Sequence, residues 1–146
     1  MLRLRQSWFT EGRSKFLDAI AEFPEPTAKI YVKLRISAST RLVYAQVDTA
    51  AAWSVLPSDV AQNAGISIGK GEPALLSTRF GTKHGHLVRA PYTLIADEGE
   101  SLFAEGSFFV CPDWPFRQVF LGYSGLLDSI RFALDPQVND FYFGPC

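Results

Sequence analysis

Apolar residues occupy every second position between residues 29 and 37, which is the period of a strand with one buried face. A turn-like segment follows at 37–40, and a second apolar run covers 42–47. Two such runs joined by a short turn predict a β-hairpin.

Short apolar runs continue to the C-terminus. Further strands are expected at 75–80, 87–96, 101–110, 117–122, 131–134 and 141–143, and short helical segments at 57–65 and 125–130. The runs at 75–80 and 87–96 flank a polar stretch with two glycines, so they predict a long hairpin with a polar tip at 81–86. Many short strands with little helix favour a mostly β chain that closes into a small barrel.

The first part of the chain has a different pattern. Phe16, Ile20 and Phe23 are spaced as i, i+4 and i+7, which predicts a short helix within 14–23 that ends before two prolines. We expect this helix to pack on the body of the protein. A helix lying on a membrane surface is the alternative, but the segment has no basic face. The chain therefore divides into an N-terminal segment, 1–28, and a domain, 29–146.

Composition and charge narrow the classes of function. A chain of 146 residues with 47% hydrophobic and 20% charged residues is an ordinary single globular domain. The net charge of −1 excludes the strongly basic surface typical of nucleic-acid binding. No apolar run approaches the roughly 20 residues that cross a bilayer, and the N-terminus lacks a signal-peptide pattern. The two cysteines, Cys111 and Cys146, form no metal or disulfide motif and favour a cytoplasmic location.

Asp48 is the first candidate for chemistry. It ends an apolar strand and is followed by Thr49, Ala50 and Ala51, small residues that allow a ligand or another backbone to come close. An aspartate in this position also commonly caps the next turn through its side chain. The local pattern alone therefore leaves both roles open.

Two segments in matching order suggest a family. Residues 47–57 resemble the active-site segment of retropepsin-like aspartic peptidases, in which an apolar residue precedes Asp-Thr/Ser-Gly-Ala and a Ser-apolar-apolar sequence follows. Residues 119–122, with Gly122 at their end, and 125–128 look like the apolar-apolar-Gly motif and the short helix of that family. The resemblance extends over about 29–146, and two motifs in order are more specific than either alone.

The resemblance implies a fold and a mechanism. The fold would be a small closed β-barrel of the retropepsin-like type, with a flap hairpin and one or two short helices. Two chains would form a homodimer, and their two Asp48 carboxyl groups would share a proton and activate a water molecule without a metal or another cofactor. Thr49 would hydrogen-bond across the dimer, and Ala50, Ala51 and Gly122 would support the active-site loops.

The polar hairpin tip occupies the position of the family's flap, which implies that it closes over an extended peptide substrate. The residues concerned are Gly81, Thr82, Lys83, His84, Gly85 and His86. The two histidines would share one face of an extended segment, which is the arrangement of a metal pair, but the sequence shows no third ligand.

Ala50 departs from the family pattern, which usually has glycine at this position. The departure favours an alternative function, a non-catalytic module of the same fold that binds peptides or dimerises. A third interpretation is an unrelated β-barrel that holds a small apolar ligand and in which Asp48 is only a turn residue.

Overall fold

A computed structural model describes residues 1–21 and 29–146. The chain is mostly β, as predicted. The strands are β1 Arg3–Leu4, β2 Ser7–Trp8, β3 Gly12–Lys15, β4 Tyr31–Ile36, β5 Val43–Val47, β6 Ser54–Leu56, β7 Glu72–Thr78, β8 Gly81–Leu94, β9 Glu98–Gly99, β10 Leu102–Val110, β11 Val119–Leu121, β12 Ile130–Asp135 and β13 Asp140–Pro145. The α-helix α1 spans Ser58–Asn63, and 3₁₀ turns cover Ile68–Lys70 and Leu127–Ser129.

Six strands close into a barrel. Their order is β4, β5, β11, β6, β10 and β8, and β8 pairs back to β4. The pairs β5–β11 and β6–β10 are parallel, whereas the other neighbours are antiparallel. The closed β-barrel and the hairpin of β4 and β5 are therefore confirmed. β7 lies outside this ring and pairs with β8, which builds the long hairpin.

The barrel core is formed by the alternating apolar positions of the strands. Val32, Leu34 and Ile36 of β4 are buried as the pattern predicts, and they pack with residues such as Phe108 of β10. Tyr31 is buried as well, although it belongs to the opposite face of β4. The strand pattern predicts one buried face, so the burial of Tyr31 departs from it; the Tyr31 hydroxyl accepts a hydrogen bond from the distant Gln118.

The N-terminal segment contributes a strand where a helix was expected. β3 lies between β13 and β9 in a second, four-stranded sheet, and its alternate residues Gly12 and Ser14, then Phe16, are buried. The helix expected within 14–23 is therefore wrong over the described residues 14–21; 22–28, which include Phe23, lie outside the described residues. β13 pairs with residues 12–15, and Leu17 forms a further antiparallel bridge with Tyr31, so extended pairing with distant strands replaces the start of the expected helix. The division of the chain at residue 28 stays a prediction.

Ion pairs between side chains link β3 to its neighbour β13. The carboxylate of Asp140 on β13 is 1% exposed and lies 2.9 Å from Arg13 Nη1 and 2.7 Å from Lys15 Nζ. The ammonium of Lys15, with the guanidinium of Arg13 beside it, holds the pKa of Asp140 below its usual range.

The helical predictions hold in part. α1 lies within the expected 57–65, and Gly65, with φ of 72°, follows its end and donates its N–H to Gln62 O at 3.0 Å. The segment 125–130 forms only the 3₁₀ turn Leu127–Ser129. Within the described ranges, no helix is both long and apolar enough to cross a membrane.

Candidate active site

Asp48 lies immediately after β5, where the barrel opens to solvent. Its backbone N–H donates to Leu121 O at 2.9 Å, which continues the parallel pairing of β5 with β11. Its Oδ1 accepts a hydrogen bond from Ala50 N at 3.0 Å, so the loop orients its own carboxylate. A carboxylate accepts about four hydrogen bonds. The half-buried group therefore retains capacity for a water molecule or another carboxyl group.

The two motif segments meet directly. Gly122 N donates to the buried Oγ of Ser54 at 2.9 Å, and Tyr123 N donates to Ala51 O at the same distance. A Cβ on Gly122 would lie 2.7 Å from Ser54 N, closer than packed atoms come, so only glycine fits this crossing. The structure thus brings Gly122 and Ala51 beside the Asp48 loop.

Ala50 causes no strain within the chain. Its φ is not positive, so its backbone conformation is one that alanine adopts freely. Its side chain is exposed, as is that of Thr49. The fold of the single chain therefore does not require glycine at this position.

A cleft of about 620 Å³ lies over Asp48. The loop of Asp48, the hairpin residues 76–80 and alternate residues of 114–120 line it, together with Lys29, Gln46 and Val55. The cleft contains a carboxylate and is bordered by the hairpin, whose strands could pair with an extended chain.

The hairpin is confirmed, but its tip is not where the sequence suggested. Thr78 pairs with Gly81, so the turn consists of Arg79 and Phe80. Thr78 Oγ1 accepts from Phe80 N at 3.1 Å and donates to Gly81 O at 2.8 Å, which stabilises this short turn. Gly81 follows with φ of 103°, a conformation that glycine adopts readily.

The residues expected to form the flap tip instead belong to β8, and none of them lines the cleft. They are Gly81, Thr82, Lys83, His84, Gly85 and His86. His84 and His86 line a separate hollow with Asp113. Within the part of the chain that the structure describes, no three His, Cys, Asp or Glu residues are grouped to hold a metal.

Aromatic residues missed by the sequence analysis cover one end of the cleft. Phe80 is 60% exposed and contacts Phe116 edge to face, with ring centroids 5.6 Å apart. Phe116 in turn contacts Trp114 at 5.6 Å, and Phe120 lies 6.3 Å from Trp114. We call these four residues the aromatic end. The density of aromatic residues between 114 and 120 is the sequence signal that could have located them.

Comparisons with known proteins bear on the fold. No protein-family model and no curated protein sequence matches the chain. The solved structure of a retropepsin-like aspartic protease from Rickettsia conorii aligns with a TM-score of 0.52 and 19% identity, covering 90% of this chain and 98% of that one. The retroviral protease-like domain of Ddi1 from Leishmania major aligns with a TM-score of 0.51 and 17% identity, covering 82% and 96%.

The fold is therefore that of the retropepsin-like aspartic proteases. This finding overturns the interpretation as an unrelated barrel. Identities below 20% establish the fold alone, so the activity is argued from the site.

Proposed function

We propose that the protein is an aspartic endopeptidase that acts as a homodimer. The observation that carries the proposal is Asp48, which lines the cleft, is oriented by its own loop and is supported by the crossing at Gly122. One chain supplies one such aspartate, so the second carboxyl group comes from a second copy across a two-fold axis.

The chemistry follows from placing two Asp48 carboxyl groups side by side. Two adjacent carboxyl groups cannot both remain ionised, because their negative charges repel, so the pair shares one proton. The ionised carboxylate takes a proton from a water molecule, which attacks the scissile carbonyl carbon. The protonated carboxyl group donates its proton to the carbonyl oxygen, which gives a tetrahedral intermediate with two hydroxyl groups. The first carboxyl group then passes the proton it took from water to the leaving nitrogen, the second carboxylate regains a proton from one of the hydroxyl groups, and the C–N bond breaks. The exposed hydroxyl of Thr49 would hydrogen-bond across the dimer and hold both loops.

The hairpin supports binding of an extended peptide. β7 pairs with β8 on one side, and its other edge has no strand partner among the described residues. Residues 76–78 of β7 line the cleft. A peptide in the cleft would add its backbone to this edge, with alternate side chains facing the barrel.

The test is cleavage of a mixed peptide library, read by mass spectrometry from acid to neutral pH. Wild type is compared with Asp48→Asn and with Asp59→Asn, a control at an exposed aspartate of α1. We expect Asp48→Asn to lose cleavage completely and Asp59→Asn to retain it. Activity per chain should fall on dilution, because a dimeric site dissociates.

Full cleavage by Asp48→Asn would refute the aspartic mechanism. Asp48-independent peptide binding without turnover by a dimeric wild type would instead favour the non-catalytic module that Ala50 suggested.

A further inference from the structure

Several polar side chains share the face of the barrel that carries Asp48. Side chains alternate along a strand, so Gln46 and Asp48 lie on the same side of β5. Tyr31 pairs with Gln46, and continuing that antiparallel register places Lys29 opposite Asp48. Phe120 of β11 also pairs with Gln46, so this face leads directly into the aromatic end.

Hydrogen bonds orient the polar groups. Gln118 is 8% exposed, and its Nε2 donates to the Tyr31 hydroxyl at 2.9 Å and to Gln46 Oε1 at 3.1 Å. The first of these hydrogen bonds satisfies the hydroxyl of the buried Tyr31. Gln46 Oε1 accepts the second bond and Gln46 lines the cleft, so its amide group can donate to a molecule bound there. We call Lys29, Gln46 and Gln118 the polar end of the cleft.

The charges of the side chains that line the cleft favour binding of an anionic group. The charged side chains among its lining residues are Lys29, Arg79 and Asp48, so cations outnumber carboxylates. A bound carboxylate would accept from the ammonium of Lys29 and the amide of Gln46, and such charge-assisted hydrogen bonds are the stronger kind. An apolar side chain at this end would bury the same donors unpaired, which is costly.

We infer that the cleft selects peptides with an acidic side chain, bound at the polar end, near a large apolar side chain, bound at the aromatic end. The inference rests on the proposed function and names its substrate class. Gln46 is two residues from Asp48, a separation of about 6.6 Å along a strand. An extended peptide has the same rise, so the acidic side chain lies within about two residues of the cleaved bond.

The test uses matched synthetic peptides that carry Glu, Gln or Leu at each of the two positions on either side of the bond. At the selective position we expect kcat/KM for Glu to exceed that for Gln by about tenfold, as one charge-assisted contact implies. Lys29→Met should bring the Glu-to-Gln ratio close to 1, whereas Lys29→Arg should retain the preference. Lys70→Met, which removes an exposed lysine outside this cleft, should leave the ratio as in wild type.

The same peptides are titrated against Asp48→Asn, which separates binding from cleavage. Binding that prefers Glu supports the selectivity. If wild type cleaves none of these peptides, the same result also counts against the peptidase. Cleavage with equal rates for the three peptides, or a preference unchanged in Lys29→Met, overturns the selectivity and leaves the peptidase standing. Neither binding nor cleavage of any peptide overturns both.

Discussion

Ser54 joins the two motif segments of the candidate site, the one that follows Asp48 and the one that ends at Gly122, through a hydrogen bond. Its buried Oγ accepts the hydrogen bond of Gly122 N at 2.9 Å, at the crossing of the loops after β5 and β11. Ser54→Ala removes the acceptor and leaves a buried N–H without a partner. That loss costs about 1–3 kcal/mol of the free energy of unfolding.

Urea unfolding followed by tryptophan fluorescence measures this change, and Trp53 is adjacent to the altered residue. For an m-value of about 2 kcal/mol/M, a loss of about 2 kcal/mol moves the midpoint by about 1 M. The m-value should not change, because the substitution leaves the surface exposed on unfolding nearly the same.

Ser129→Ala is the matched control, since the Ser129 hydroxyl is exposed and bonds only to the neighbouring Asp128 Oδ1 at 3.1 Å. Its effect should stay within about 0.5 kcal/mol. If Ser54→Ala were as mild as Ser129→Ala, the crossing would not depend on this hydrogen bond and the account of how the two segments are joined would be wrong.

Three further outcomes are expected. Gly122→Ala places a Cβ against the backbone of the crossing loop and should lower the free energy of unfolding by about 1–3 kcal/mol, as measured by thermal unfolding. Gly69→Ala is the control, because no atom lies within 4 Å of the added carbon. Equal effects of the two substitutions would contradict the crowding at Gly122. The lowered pKa of Asp140 stabilises the fold above the ordinary aspartate pKa of about 3.9, and this stabilisation is lost as pH falls through the lower folded value. Asp140→Asn should therefore lower Tm clearly at pH 7 and much less at pH 2, and a pH-independent deficit would refute the linkage. Phe80→Ala removes the contact with Phe116 and should increase the rate of amide hydrogen exchange at the hairpin tip. An unchanged exchange rate would show that this contact does not stabilise the position of the tip.

Local patterns of apolar and polar residues were sufficient to predict the position of several barrel strands. A period of two over several residues defines a strand with little reference to its neighbours, which is why β4, β5 and β10 lie where expected. The Asp48 and Gly122 motifs were also readable, because each needs particular residue types at a fixed spacing.

Predictions failed where distant pairing decides the conformation. The spacing of Phe16 and Ile20 suits a helix, but the N–H of Phe16 donates to Asn139 O and the N–H of Leu17 donates to Tyr31 O, and the preceding strand β3 pairs with β13, more than a hundred residues away. The hairpin tip was misplaced for a related reason. Gly81 and Gly85 resemble turn residues, yet the register of β7 with β8 places the turn one position before Gly81.

The sequence by itself determined that the chain is a β-barrel and which aspartate and glycine mark its candidate site, since alternation and short motifs are local properties. Only the tertiary structure decided what surrounds that aspartate. The aromatic end and the polar end draw on the residues before β4, on β5, on the hairpin tip, and on β11 with the segment before it. Their residues become neighbours only when the barrel closes, because strand register sets which side chains share a face.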